Sequence, residues 1–589
     1  MAVKTICTVS TTSAYTTAAG SIAALHALVA SCQGQLPPEL LPYIQKVYFT
    51  SLFGDDDVLY FPCPFKAREA VSALKALEGC AAAAIADLRY GRAPRFIEVD
   101  LDRTACFLMS AYVTTIDGLD KGHEDVKSLL VDTDLNQAQS ILYRRLSANL
   151  YETKKPGEFY HIHGSLEASR TLSMLGLPPF NPEMTDYRQC VETIEKAVKR
   201  YTVDELEAMN SKENQAGAPA LTWDAFSQTP HGQALMKLPP FTTTSLETLT
   251  PPVPFPETAL ALGQRQPQCL AGIKVVEFCR IIAGPVIGRS LAAHGASVIK
   301  VTSPFLPDVP FFQVDVNTGK HTTELHLRDN DQDRAAFERL LAEADVLIDG
   351  YRPGALDKLG YGTEYLADLA RARGRGFVYV AEDCFGGTGT GTGTGPGAAD
   401  PEWAPRPGWQ QIADCVTGLA WDQGRFMGLD EPVVPPFPMS DYGTGALGAA
   451  AALSALYLRA RRGGSWACRT SLCQYDVFLR SLGALPAGVL ARARKAHDPA
   501  FFGLRHHDSV DEVGRRAVGS VRALFPHLFA DGMMHSAWSP GFGAQIRWPR
   551  EALKVKGLRV GHVRATRPNG FDAPSWDGWE VDEDVALGS

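Results

Sequence analysis

Short apolar runs alternate with helical patterns between residues 272 and 381, and this alternation restricts the possible folds more than any other feature of the chain. The β-branched runs are 272–278, 296–301, 345–349 and 376–381, and the helical patterns are 286–293, 331–343 and 363–373. Strands separated by helices pair in parallel, and the helices cover both faces of the sheet. This region is therefore predicted to form an α/β fold with a Rossmann-like parallel sheet.

The loops that follow the predicted strands are the first place to look for a ligand site. In sheets of this kind ligands bind beyond the carboxyl ends of the strands, which here are followed by residues 280–285, 350–354 and 382–386. The Gly-Thr repeat at 386–397 lacks the Lys and the Ser or Thr that follow the glycines of a phosphate-binding loop, and it runs into several prolines. We predict a flexible surface loop there.

The length of the chain requires more than one packed unit. Its 589 residues, 45% of them apolar, exceed the size at which a single hydrophobic core stops growing. The proline-rich segment 239–267 cannot form a regular helix or a central strand and marks the clearest boundary. We expect one domain over residues 1–264, which includes a smaller α+β unit, and a second over residues 265–589, which contains the sheet.

Composition restricts the partners and the compartment. The net charge of -9 argues against a nucleic acid or a polybasic membrane surface and favours small molecules. The 12 cysteines show no dense spacing pattern, which fits a reducing compartment. No apolar run reaches the length of a membrane span, and the weakly apolar stretch 18–30 is better explained by a surface helix than by a signal peptide. The expected location is cytoplasmic.

Two segments of the chain follow the same order of elements. An Ala-rich helical pattern and a short strand, followed by the segments 103–108 and 474–479, occur over residues 70–108 and again over residues 445–479. This order predicts an internal duplication. About 90 residues follow Asp498, too few for a second small domain, so a pseudo-dimeric monomer is favoured and a homodimer remains possible.

Several motifs together resemble the class III CoA-transferase (CaiB/BaiF) family. The segment 275–285 reads Val-Val-Glu-Phe-Cys-Arg-Ile-Ile-Ala-Gly-Pro, and further matches are 291–300, 317–320, 324–328, 344–360, 395–396 and 406–408. The resemblance implies the Rossmann-like sheet of that family with a smaller α+β domain. It also implies that the first half is a degenerate relative of the second.

Asp441 occupies the position that the resemblance assigns to the catalytic carboxylate, in the sequence Met-Ser-Asp-Tyr-Gly-Thr-Gly. The family mechanism implies attack of Asp441 on an acyl-CoA, a mixed anhydride and then an aspartyl-CoA thioester. A desolvated carboxylate beside helix-start amides suits this chemistry, and Gly443 and Gly445 are expected to let those amides approach the substrate carbonyl. From the residues alone, Asp441 could instead be a helix N-cap. The corresponding first-half segment, 65–70, contains one carboxylate, Glu69, and is expected to be structural.

The resemblance also implies a set of residues along the CoA and the acyl group. These residues are Arg280, Ile281, Ile282, Ala283, Leu325, Tyr351, Lys358 and Trp409. Lys358 suits a phosphate as a point charge, although an exposed helix lysine is an equal alternative. Trp409 stands where the related racemases carry a proton-exchanging His, and an indole cannot exchange that proton. Ile282 stands where formyl-CoA transferases carry a polar side chain, which favours a larger or more apolar acyl group.

No metal site and no permanently bound cofactor are expected, and coenzyme A enters as part of the substrate. His161 and His163, and the pair His506 and His507, lack further ligands at a recognisable spacing. CoA transfer from an acyl-CoA to a carboxylic acid acceptor is the leading function. Two alternatives are acyl-CoA hydrolysis or another reaction at the same Asp, and acyl-CoA binding without catalysis.

Overall fold

The computed structural model describes residues 3–6, 15–52, 58–257, 266–387 and 403–579. The greater part of the Gly-Thr repeat therefore lies outside the described residues. Within the described ranges, no helix is both long and apolar enough to cross a membrane. The eleven cysteines of these ranges are buried free thiols.

A seven-stranded sheet forms the centre of the second half and confirms the predicted α/β fold. In spatial order its strands are His321–Glu324, Ser297–Thr302, Lys274–Phe278, Val346–Asp349, Val378–Asp383, Ser465–Ser471 and Thr242–Glu247. The first six are parallel, and Thr242–Glu247 is antiparallel to Ser465–Ser471. An edge strand from the first half of the chain therefore completes the sheet of the second half.

Three helices that connect these strands lie close to their predicted positions: Ala283–Ala293, Asp331–Glu343 and Thr363–Arg373. Two short helices, Phe312–Val316 and Ala355–Leu359, were not predicted. Helix Ala283–Ala293 begins three residues before its predicted start, because Pro285 is tolerated in a first helical turn, where backbone N–H groups have no partner within the helix.

Two helices of 24 residues each, Ala67–Tyr90 and Met439–Arg462, pack against each other. Each is followed by a strand and a further helix: Ile97–Asp100 and Leu101–Leu108 after the first, Ser465–Ser471 and Leu472–Ser481 after the second. The predicted order of a helix and then a strand is therefore present in both segments, and the helix after each strand was not predicted. A common origin of the two segments remains a prediction.

Three smaller sheets surround this arrangement in the described residues. Their strands, in spatial order, are Val3–Ile6, Val47–Ser51, Ile97–Asp100 and Leu553–Val555; Met534–Ser539, Ala544–Pro549 and Thr115–Ile116; and Ala148–Glu152, Phe159–His163 and Ala218–Pro219. Two of these sheets combine strands from both sides of residue 264. The domain boundary predicted at residue 264 therefore separates strands that belong to the same sheets.

The described residues contain further α-helices of six or more residues. They are Thr17–Ser31, Ala168–Met174, Tyr187–Val198, Val203–Glu213, Trp223–Gln228, Pro230–Leu235, Gln410–Val416, Leu419–Met427, Ala487–Ala496 and Val510–Leu524. Thr17–Ser31 is the helix expected near the N-terminus. It packs on Ala67–Tyr90 and buries Leu25 and Leu28 completely, so one of its faces belongs to the core.

Candidate active site

Asp441 is the third residue of helix Met439–Arg462 and is partly exposed. The N-cap of this helix is Pro438, and no side chain caps it, so the N-cap alternative for Asp441 is wrong. Phe437, just before the helix, has a positive φ of 65°, which turns the chain sharply into the first turn. Asp441 therefore lies at the positive end of a long helix without being used as its cap.

The residues on either side of Asp441 are anchored in the core. The hydroxyl of Ser440 donates to Asp414 Oδ1 at 2.8 Å, and the hydroxyl of Tyr442 donates to Asp315 Oδ2 at 2.5 Å. Asp315 also pairs with Arg289 at 2.6 Å. These fixed neighbours hold the first turn in place and leave the carboxylate of Asp441 as the open group between them.

Burial raises the pKa of Asp441 well above its usual range, and the charge of Asp414 raises it further. Asp414 and Asp476 are themselves fully buried. Gln410 Nε2 donates to Asp414 Oδ2 at 2.7 Å, yet burial raises the pKa of Asp414 to about 7. Burial and Asp414 raise the pKa of Asp476 as well. Each of these two buried carboxylates therefore makes ionisation of the other less favourable.

Glu382 is a further buried carboxylate whose charge interacts with that of Asp441. Burial is the main cause that raises the pKa of Glu382 well above its usual range, and the negative charges of Asp383, Asp441 and Asp349 raise it further. Glu382 was predicted to lie in the loop 382–386. It belongs to strand Val378–Asp383, because pairing with Ser465–Ser471 continues to the register Asp383 with Ser471.

The loop after the first strand of the sheet holds the predicted CoA contacts Arg280 to Ala283. Arg280 Nη1 donates to the carbonyl oxygen of Pro307 at 3.0 Å, and its guanidinium lies 5.6 Å from the ring centre of Tyr351. Lys300 Nζ donates to the carbonyl oxygen of Arg280 and to Asn317 Oδ1, both at 3.0 Å. Ile281 is partly buried, and Ile282 and Ala283 are buried. The structure thus brings Arg280 and Tyr351 together.

Gly443 and Gly445 let the helix of Asp441 pack closely against its neighbours, and their predicted part in substrate binding stays a prediction. A Cβ at Gly443 would lie 2.1 Å from the ring of Tyr475, and one at Gly445 would lie 2.4 Å from Val286. Gly445 also allows close approach to the carbonyl oxygen of Ala283, at 2.9 Å from such a Cβ. Gly443 therefore lets the helix of Asp441 approach helix Leu472–Ser481, and Gly445 lets it approach the helix that begins at Ala283.

The other predicted contacts occupy three different settings. Leu325 is buried in the apolar cluster against which Tyr351 packs. Lys358 is exposed on the short helix Ala355–Leu359. Trp409 directly precedes Gln410, the partner of Asp414, and its indole Nε1 donates to Ser165 Oγ at 2.7 Å. The ring of Trp409 stacks on His163 at 5.5 Å, so residues of the first half support it.

Comparison with known proteins places this arrangement in a family. The model of CoA-transferase family III matches residues 270–500, a range that includes the first parallel strand of the sheet and Asp441. The acetyl-coenzyme A transferase nodX of Hypoxylon pulicicidum is 33% identical over 92% of this chain and 90% of its own length. The chain belongs to CoA-transferase family III.

Other relatives of this family III CoA-transferase carry related names. An acyl-CoA transferase of Gibberella moniliformis is 33% identical over 72% of each chain. A crystal structure of Rv3272 from Mycobacterium tuberculosis is 28% identical, covers 37% of this chain and 57% of that one, and has a TM-score of 0.30. The family assignment rests on the sequence matches.

Proposed function

We propose that this family III CoA-transferase moves CoA from an acyl-CoA to a carboxylic acid acceptor, with Asp441 as the nucleophile. One observation carries the proposal: Asp441 is a partly exposed carboxylate of raised pKa between two anchored neighbours at a helix start. Burial removes the water that weakens a carboxylate as a nucleophile, and the helix N-terminus stabilises negative charge.

The reaction proceeds through two acyl exchanges at Asp441. An Oδ atom of Asp441 attacks the thioester carbonyl, the carbon–sulfur bond breaks, and CoA leaves as the thiolate from a mixed anhydride. The thiolate then attacks the Asp441 side-chain carbon and releases the first acid as a carboxylate. The acceptor carboxylate attacks the resulting aspartyl-CoA thioester, the carbon–sulfur bond breaks, and the CoA thiolate leaves from a second mixed anhydride. The thiolate then attacks the acceptor carbonyl, which frees Asp441 as a carboxylate and yields the new acyl-CoA.

The surrounding residues support recognition of the CoA and of the acyl group. Arg280 and Tyr351 form one wall beyond the carboxyl ends of the strands, and Lys358 lies on the helix that follows Tyr351. We assign the pantetheine and phosphates of CoA to this wall, with Ile281, Ala283 and Leu325 as its apolar support. Ile282 and Trp409 are assigned to the acyl side, where they favour a large or apolar acyl group over oxalate or formate.

Trapping with hydroxylamine tests the covalent route. Wild-type protein incubated with a panel of acyl-CoAs and hydroxylamine is expected to gain a hydroxamate at Asp441, because both proposed intermediates are activated acyl derivatives of that side chain. Intact mass spectrometry and peptide mapping detect it. In parallel, CoA release is followed with and without candidate acceptor acids. Acceptor-dependent formation of a new acyl-CoA supports transfer, whereas thioester loss without an acceptor, or binding without turnover, contradicts it.

Single-turnover formation of the covalent intermediate is expected to slow as the pH falls. The attacking form of Asp441 is the carboxylate, and its pKa is raised mainly by burial, so the ionised fraction declines over a higher pH range than for an ordinary aspartate. Below that pKa the rate should fall about tenfold per pH unit. Rapid-quench measurement of the adduct checks this, with circular dichroism at each pH as the folding control. A rate that is independent of pH down to the usual aspartate range would contradict it.

A further inference from the structure

A histidine pair that the sequence leaves without further ligands acquires one in the fold. Glu195, on helix Tyr187–Val198, lies beside His506 and His507, and its contact with His506 spans 311 positions of sequence. One ligand atom from each of the three residues lies within 4.8 Å of the other two. Among the described residues, Glu195, His506 and His507 form the group of three His, Cys, Asp or Glu side chains whose ligand atoms lie this close together.

His506 is oriented by carboxylates on both of its ring nitrogens. Its Nε2 lies 2.7 Å from Glu195 Oε1, and its Nδ1 lies 3.1 Å from Glu431 Oε2. Glu431 is fixed in turn by Arg505, whose Nε and Nη2 donate to its two oxygens at 2.6 and 3.0 Å. A metal-bound histidine commonly has this arrangement, in which a carboxylate on the second ring nitrogen fixes the tautomer and the orientation of the ring.

His507 contributes a nitrogen that lacks a partner in the fold. Its Nδ1 is enclosed and makes no hydrogen bond. Its carbonyl oxygen accepts a hydrogen bond from Asn149 Nδ2 at 2.7 Å, which fixes the backbone while the ring stays available. Enclosed polar side-chain atoms are normally paired, so an unpaired imidazole nitrogen beside another imidazole and a carboxylate points to a ligand.

The charges around the three residues leave room for a dication. The carboxylates are Glu195, Glu431, Glu152 and Asp508, and the permanent cations are Lys199, which pairs with Glu152 at 2.8 Å, and Arg505. With both imidazoles neutral, as they are when a metal is bound, four negative and two positive groups give a net charge of about -2 at the cluster. Bound M²⁺ would offset this charge without any further basic residue.

We propose that Glu195, His506 and His507 bind one divalent transition metal ion of the zinc class, through two imidazole nitrogens and one carboxylate oxygen. Nitrogen and carboxylate ligands suit zinc, and a water molecule completes four-coordination. His506 faces a carboxylate at each ring nitrogen and starts as the imidazolium; the ion replaces its Nε2 proton, which leaves to solvent, and the ring keeps the Nδ1 proton that faces Glu431. Glu431 stays outside the coordination sphere and holds His506. The ion joins helix Tyr187–Val198 to a segment of the second half and takes no part in the reaction at Asp441.

Zinc binding by the full chain provides the test. Chelator-treated protein is dialysed against zinc chloride, the metal is counted by mass spectrometry, and thermal unfolding is followed with and without zinc. Wild type is expected to bind one zinc per chain and to unfold at a higher temperature when it is present. His507→Gln and Glu195→Gln should lose both effects. Because His507 Nδ1 makes no hydrogen bond, the His507→Gln substitution removes none at that atom. The unfolding temperature of the His507→Gln variant without zinc should therefore match that of wild type.

His123→Gln is the matched control, because His123 is a half-exposed histidine beside a carboxylate, Asp125. It should keep the zinc of the wild-type protein. Cobalt(II) provides a second readout, since binding to two imidazoles produces visible absorption that His507→Gln should abolish. The proposal is overturned if wild type binds no zinc, if His507→Gln retains full binding, or if calcium binds in place of zinc.

Discussion

Replacement of Asp441 by Asn or Ala is expected to lower kcat for CoA transfer by at least about 10³-fold, the scale of loss when a nucleophile is removed from an enzyme. Neither side chain offers the carboxylate oxygen that attacks the thioester, so the hydroxamate should also disappear. Steady-state kinetics with the best acyl-CoA and acceptor pair measures the loss, and mass spectrometry follows the adduct. The Ala variant guards against slow hydrolysis of Asn back to Asp.

The folding controls for these variants follow from the same geometry. A carboxyl whose pKa is raised in the folded state destabilises the protein as the pH rises above its pKa in the unfolded chain. Removing the charge at Asp441 should therefore leave the unfolding temperature at pH 7 unchanged or higher. Asp368→Asn, an exposed carboxylate on helix Thr363–Arg373, is the matched control and should keep wild-type activity. Activity of both Asp441 variants within tenfold of wild type would exclude Asp441 as the nucleophile.

Local patterns carried most of the information about the central sheet. Helices Asp331–Glu343 and Thr363–Arg373 were predicted at their observed bounds, because each has its own apolar periodicity and its own end signals. Asn330 caps the first, and Gly374 ends the second with a positive φ. Strand Val378–Asp383 extends beyond its predicted end because its length is set by pairing with a strand almost ninety residues later.

The candidate site depends on contacts that no local pattern contains. Asp441 was predicted from a motif, but Asp414 and Asp476 lie on two other helices and meet Ser440 only after these helices pack. The packing role of Gly443 was not predicted for the same reason, since Tyr475, which fills the space beside it, follows in a later helix. Glu195 likewise reaches His506 across 311 positions. Packing between distant helices therefore decides these features.

Replacement of Glu78 by Gln is expected to lower the free energy of unfolding by about 3–5 kcal/mol, the usual result of removing one partner of a buried ion pair. Glu78 lies between Lys75 Nζ at 3.0 Å and His294 Nε2 at 2.8 Å, and all three side chains are at most 1% exposed. Lys75 and Glu78 belong to helix Ala67–Tyr90, and His294 ends helix Ala283–Ala293. Without Glu78, two buried cations of the two halves lose their shared counter-ion.

The pH dependence distinguishes this cluster from a general packing defect. Burial alone would lower the pKa of His294, but contacts with Cys269 and Glu78 outweigh burial and raise it from 6.5 to about 10. A raised histidine pKa contributes stability that is complete below the unfolded value and is lost as the pH rises through the folded value. Wild type should therefore lose stability between about pH 6.5 and pH 10, and Glu78→Gln should lose much less over that range. Urea unfolding at pH 6 and pH 9 measures both effects.

Glu364→Gln, which changes an exposed carboxylate, is the control, and its free energy of unfolding should stay within about 0.5 kcal/mol of the wild-type value. If Glu78→Gln shows the same small change, the cluster adds little to the contact between the two halves.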